Sequence, residues 1–277
     1  MMTKKLFLTF KNIIIGLIAF TFVILPFWLI IVNSFKTPKE ALELNIKLPT
    51  EWNIVNNYLT VIIGGGVARS FLNTLIVTSF SVTMIVFLAS FAAWVFARKK
   101  SKVFTIFYFI SIAGILIHPA IIASIKVLKE LHIYGNLVGV TLYFVGIYLS
   151  FAIFFMTGFI KTIPLEIEEA ARIDGCSHIG VFFKIVFPLL KPVITTVIIF
   201  LSLMVWNNFI YPFYFVRSMR DWTLTLSLFR VMSKYTYQVS WELVFADVII
   251  VSLPLIILFF FLQKRIISGL MSGAIRG

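Results

Sequence analysis

Acidic residues are scarce in this chain, and cysteine is almost absent. Asp and Glu supply 11 of 277 residues against 24 Lys and Arg, and charged residues make up only 13%. A soluble domain carries about a quarter charged residues, so the ordinary water-facing surface of a globular protein is excluded. The single cysteine, Cys176, excludes an intramolecular disulfide and leaves the redox compartment open. No glycine is followed by lysine anywhere, so the chain has no phosphate-cradling P-loop, and Gly64-Gly65-Gly66 reads instead as a joint before an apolar run. Histidine and acid spacings that would hold a metal are missing as well; His118 has no second ligand type near it on its own run.

What the chain has in abundance is apolar sequence, 61% of residues, in runs too long for a soluble core. Crossing about 30 Å of hydrocarbon takes roughly 20 apolar residues. Six runs meet this, at about 13–32, 71–97, 103–125, 136–160, 192–215 and 243–263. In lipid the backbone must satisfy its own hydrogen bonds, so each run is expected to be a helix. The expected fold is therefore an all-α membrane protein with six transmembrane helices. The first run follows Lys4, Lys5 and Lys11 but has full span length and no small-residue cleavage site after it, so it reads as a retained helix.

The net charge of +13 reflects basic residues beside the spans rather than a nucleic-acid face. Alternate loops carry 14 of the 24 Lys and Arg, with Arg98, Lys99, Lys100 and Lys102 the densest group. This asymmetry expects both termini, and the loop between the fourth and fifth spans, in the cytoplasm.

That loop is the longest charge-bearing interruption in the chain. Pro164 suits a first helical turn. Glu166, Glu168 and Glu169 crowd that turn, where negative charge opposes the helix dipole favourably. Glu168 and Arg172 have the spacing of a surface ion pair. Gly175 is placed to end the helix in a left-handed conformation, and Ser177 to cap a second helix from His178 to Phe187 that Pro188 limits. Ile167, Ala170, Ala171 and Asp174 fall on one helical face, a compact knob that another backbone could approach closely.

The spacing Glu169-Ala170-Ala171, then Gly175, Ile185 and Pro188, resembles the EAA loop of permease subunits of ATP-binding-cassette (ABC) importers. Phe187 stands where the family usually has leucine. Asn73-Thr74, Trp206-Asn207-x-Phe209 and the tail Gly269-Leu270-x-x-Gly273-Ala274-x-x-Gly277 resemble the MalG-like carbohydrate branch. The resemblance implies one permease of a heterodimeric pathway in a bacterial cytoplasmic membrane. Its partners would be a second permease, two ATPase subunits and an external solute-binding protein. It implies no cofactor on this chain, ATP and Mg being bound by the ATPase. Glu169, Ala170, Ala171, Arg172, Asp174, Gly175, Ile185 and Pro188 would form the ATPase-docking segment, and the tail after Arg265 would approach the ATPase pair.

Trp206, Asn207, Asn208 and Tyr211 are candidates for a substrate path, since aromatic faces and amide groups suit sugars; the competing reading is helix packing and interface anchoring. Asp247, the one acid well inside a run, reads as an interfacial or packing residue that reaches water or a basic neighbour. A non-sugar importer, an ion- or proton-coupled secondary carrier and a noncatalytic membrane scaffold remain as alternatives. A carrier needs midplane coupling sites, and Asp247 and His118 supply little toward one.

Overall fold

The structure is a computed structural model, described for residues 2–64, 66–117, 119–234 and 240–274. Gly65, His118 and Gly277, named above, lie outside these residues. Regular structure among the described residues is helical, apart from one bridge between Gly135 and Val216.

Three described helices are long and apolar enough to cross a membrane: α1 (Phe10–Ser34), α3 (Val67–Arg98) and α6 (Leu137–Ile160). A shorter helix, α2 (Ile54–Gly64), precedes α3. The other helices named below are α4 (Lys102–Ala113), α5 (Ile121–Glu130), α7 (Glu166–Ile173), α8 (His178–Leu189), α9 (Lys191–Trp206), α10 (Ile210–Phe215), α11 (Leu224–Lys234) and α12 (Trp241–Ala274).

Two of the expected spans are broken. The third run is not one helix but α4 and α5, separated by residues 114–120. Pro119 has no N–H to continue an α-helical ladder. Gly114 sits against α6, where an added Cβ would come within 2.5 Å of Ser150 Oγ. The fifth run stops at Trp206, turns at residues 207–209 and resumes as α10. The Asn208 side chain accepts from the Tyr211 N–H at 3.1 Å, a local bond that competes with helix continuation.

A third difference concerns Pro188. Sequence placed the end of a helix there, yet α8 runs through it to Leu189. Residues Phe182–Val186 form a π-helical turn, in which the Phe187 N–H reaches back to the Phe182 carbonyl. The wider turn shifts the hydrogen-bond register just where proline lacks a donor. The chain then bends by 70° into α9.

The chain folds as two compact units. The first comprises Met1–Ser70 and Leu226–Pro254. Its polar centre is Lys36, 2% exposed, whose ammonium donates to Asn33 Oδ1 at 3.0 Å, the Asn45 carbonyl at 2.9 Å and Asn45 Oδ1 at 2.7 Å. Three donors meet three acceptors, which is what a buried ammonium requires. Burial lowers the Lys36 pKa, while Glu40 and Glu43 oppose the shift. Asn57 ties the same turn by donating to the Ser34 and Lys36 carbonyls, both at 2.9 Å. Of the interfacial and packing readings of Asp247, burial fits the second. This residue is fully buried, and neither carboxylate oxygen has a hydrogen-bond partner among the described residues.

The second unit comprises Phe71–Thr225 and Leu255–Gly277. Its largest core joins the inner faces of α3, α6, α8 and α9, around Ile85, Ala89, Ala93, Ala152, Met156, Ile160, Phe182, Leu190 and Val197. Asn73 and Thr74 pin the segment before α11. The Asn73 amide donates to the Arg220 and Trp222 carbonyls at 2.9 Å, and Thr74 Oγ1 accepts from the Leu224 N–H at 2.8 Å.

Candidate functional site

The charged interruption folds as a helical hairpin, α7 and α8, built by its own sequence. Glu166, Glu168 and Glu169 occupy the first turn of α7. Pro164 lies just before the helix rather than in its first turn, and Leu165 is the N-cap. At the other end the Gly175 N–H bonds the Arg172 carbonyl and the Cys176 N–H bonds the Ala171 carbonyl, both at 3.0 Å. Gly175 has φ +84°. This is the Schellman termination, which needs a left-handed residue at that position. Ser177 then caps α8, its hydroxyl accepting from the Gly180 N–H at 3.1 Å.

The two faces of α7 separate cleanly. Glu168 and Ala171, three residues apart, are buried. Ala171 packs into the core, with Cys176 against the same cluster, so it lies on the inner face and not on the outer one to which the sequence assigned it. Glu169, Ala170, Arg172 and Asp174 are exposed, together with Ile167. Ile173 is 86% exposed and Ile179, on α8, 67%. Ile185 is half-buried against the core and Pro188 is exposed.

Glu168 does not pair with Arg172. Its Oε1 accepts from Arg98 Nε at 2.7 Å, and its Oε2 accepts from Trp94 Nε1 at 2.9 Å. Arg98 also donates from Nη2 to the Ile163 carbonyl at 3.0 Å, just ahead of α7. Phe91, Trp94 and Arg98 share one face of α3 by their spacing of three and four. Phe182 of α8 stacks on Phe91 with ring centroids 3.9 Å apart and lies 5.4 Å from the Trp94 ring. The hairpin is therefore held to the end of α3 by an aromatic stack, an ion pair and an indole hydrogen bond.

Sequence reasoning missed Trp94, Arg98, Ile173 and Ile179. The first two carried a signal in their position: a Trp and an Arg four residues apart at the end of an apolar run. The two isoleucines had one as well, being bulky apolar residues in a polar hairpin.

A second feature lies between the helices of the same unit. A cavity of about 470 Å³ is lined by Gly114, Ile115 and Pro119 from the first helix break, by Tyr148 and Phe151 from α6, and by Met204, Asn208 and Tyr211 around the second break. Non-helical backbone at membrane depth is tolerated where it is buried in protein or lines a cavity, and both breaks border this one. Of the four substrate-path candidates, Asn208 and Tyr211 line it. Trp206 is buried and packs edge-on against Phe71, centroids 5.9 Å apart. The Asn207 amide donates to the Leu203 carbonyl of its own helix at 3.1 Å. Among the described residues there is no cluster of His, Cys, Asp or Glu that could hold a metal ion.

Long apolar helices with a braced polar hairpin between them are the features of a multi-pass membrane protein. The chain belongs to the family of binding-protein-dependent transport system inner membrane components, which it matches over residues 56–271. It is 32% identical over 275 residues to a probable starch degradation products transport system permease protein, AmyC, of Thermoanaerobacterium thermosulfurigenes, covering 99% of this chain and 97% of the relative. It is 31% identical to the melibiose/raffinose/stachyose import permease protein MelC of Bacillus subtilis strain 168, covering 91% of each. In fold it is similar to a chain of a bacterial ABC transporter that imports the acidic polysaccharide alginate, with a TM-score of 0.83 at 19% identity, over 95% of this chain and 97% of that one.

Proposed function

We propose that this chain is one permease subunit of an ATP-driven importer for a sugar or oligosaccharide. It would form half of a heterodimeric pathway with a second permease, receive solute from an external binding protein, and draw its energy from two ATPase subunits that hold ATP and Mg. The absence of any P-loop in the sequence supports a division of labour in which the energy enters through another chain. The names of the full-length relatives support carbohydrate as the cargo.

In this reading six spans cross the bacterial inner membrane, with α4–α5 and α9–α10 each a broken span. Both termini and the α7–α8 hairpin lie in the cytoplasm. The hairpin docks the ATPase through its exposed face: Ile167, Glu169, Ala170, Arg172, Ile173 and Asp174, with Ile179 beside it. Gly175, Ala171, Ile185 and Pro188 shape the hairpin rather than touch the partner. Glu168 and Arg98 carry the partner's displacement into α3. The cavity bordered by Tyr148, Asn208 and Tyr211 is a stretch of the solute route, its hydroxyl and amide groups matched to a polyhydroxylated cargo.

The observation that carries this proposal is the hairpin, whose outer face is exposed while its inner face is braced on α3. The test is co-purification of the ATPase and the second permease with the tagged chain, together with ATP-dependent uptake of labelled oligosaccharides. Uptake by this chain alone, driven by an ion gradient, would overturn it in favour of a secondary carrier.

A further inference from the structure

Beside the hairpin, and separate from its docking face, the loop between α3 and α4 forms an open concavity of about 750 Å³. Its polar wall includes Lys99 and Lys100 from that loop, Lys102 at the start of α4 and Lys161 at the end of α6. Its apolar wall includes Phe96 of α3 and Ile106 of α4. Four lysines from two separate stretches of chain line it, and no carboxylate comes within 4 Å of any of their ammonium groups among the described residues. The Lys161 ammonium also lies 5.3 Å from the centroid of the Tyr108 ring of α4, a cation–π contact that holds this side chain beside that helix.

Like charges gathered without a counter-charge repel one another unless an anion joins them. The site therefore calls for a ligand with concentrated negative charge. The adjoining surface narrows the choice. Val103, Ile106, Phe107, Phe109 and Ile110 of α4 are all more than half exposed, so an apolar strip leads away from the lysines along the helix. A ligand that fits both parts is an amphiphile with an anionic phosphate head and long acyl chains.

We propose that Lys99, Lys100, Lys102 and Lys161 form a binding site for the phosphate headgroup of an anionic phospholipid, with its acyl chains along α4. Ordinary juxtamembrane lysines set orientation through a diffuse field. This group differs in lining one open concavity of ligand size, with Lys161 contributed by a separate stretch of chain. Each lysine near an anionic headgroup contributes about fivefold in affinity. The inference does not depend on which solute is transported.

The test uses the full-length chain, with whatever subunits co-purify, in nanodiscs of phosphatidylcholine alone or mixed with phosphatidylglycerol. Native mass spectrometry counts the lipids each variant retains. The wild type is expected to keep one more phosphatidylglycerol per chain than the variant Lys99→Gln/Lys100→Gln/Lys102→Gln/Lys161→Gln, whose affinity falls by about 100-fold or more. Phosphatidylcholine retention should be equal in both. A control that removes four other exposed lysines, Lys39, Lys47, Lys126 and Lys129, should behave as wild type. Lys161→Gln alone should lose about fivefold, which preserves the test should the quadruple variant not insert. Excess inorganic phosphate should not displace the lipid. Equal phosphatidylglycerol retention by the quadruple variant, an equal loss in the control, displacement by inorganic phosphate, or loss of a co-purifying subunit in place of lipid would each overturn the proposal.

Discussion

Arg98, the last residue of a 32-residue membrane-length helix, forms a 2.7 Å ion pair with Glu168, a fully buried carboxylate in the first turn of the polar hairpin. The pair joins residues 70 positions apart in sequence and consumes the one acid of that turn that faces inward. Glu168 has its second oxygen on Trp94, so neither oxygen is left unpaired.

Removing one partner from such a buried pair costs about 3–5 kcal/mol, because the other charge stays buried. Arg98→Ala is therefore expected to loosen the hairpin, seen as faster trypsin cleavage at Arg172 or Lys184. ATP hydrolysis in the assembled transporter should persist while uptake per ATP falls. Unchanged cleavage and unchanged coupling would remove the pair from the transmission path.

Gly175 makes a purely backbone prediction. A Cβ at this position would meet nothing within 4 Å, so space does not decide the outcome. The positive φ does: a β-branched residue there costs roughly 1–2 kcal/mol, whereas asparagine tolerates the region better. Uptake should drop in Gly175→Val and stay close to wild type in Gly175→Asn. Equal activities would show that the turn does not need its left-handed residue.

Adjacent alanines on α7 should respond in opposite ways. Ala170 is exposed, so Ala170→Trp should leave expression and thermal stability within about 0.5 kcal/mol of wild type while blocking ATPase co-purification. Ala171 is 7% exposed and packed in the core, so Ala171→Trp overpacks it and should lower stability by about 1–3 kcal/mol. Ile173→Asp should resemble Ala170→Trp. A loss of fold in all three variants would contradict the assignment of faces.

Around the cavity, Asn208→Ala and Tyr211→Ala are expected to reduce oligosaccharide uptake at normal expression. Trp206→Ala instead removes a buried ring from Phe71 and should cost about 3–5 kcal/mol in stability. Asn207→Ala should be close to neutral, since its amide serves only the Leu203 carbonyl among the described bonds. Normal uptake in both cavity variants would return these residues to packing.

Much of this site was legible because local rules govern it. Gly175 and Ser177 act through neighbours within a few residues, and their roles as left-handed terminator and cap follow from sequence alone. The inward turn of Glu168 was not legible, because its partner lies on another helix and a spacing of four to Arg172 offered a nearer alternative. Ala171 was misplaced for a related reason. A face drawn from i, i+3 and i+4 spacing is wider than the surface a short helix leaves free. The helix breaks at residues 114–120 and 207–209 escaped hydropathy because each is short and the apolar residues on both sides carry an average taken over a span's length. The passage of α8 through Pro188 depends on a π turn, for which sequence carries no reliable mark.

The central claim, that the α7–α8 hairpin is the cytoplasmic surface on which an ATPase sits, can be tested on the native chain through its only cysteine. Cys176 lies between Gly175 and Ser177 at the turn of the hairpin and is partly exposed. A membrane-impermeant maleimide should fail to label it in intact cells, label it in inside-out vesicles stripped of the ATPase, and label it several-fold more slowly once the ATPase is restored. Ready labelling in intact cells, or a rate in inside-out vesicles indifferent to the ATPase, would contradict the account.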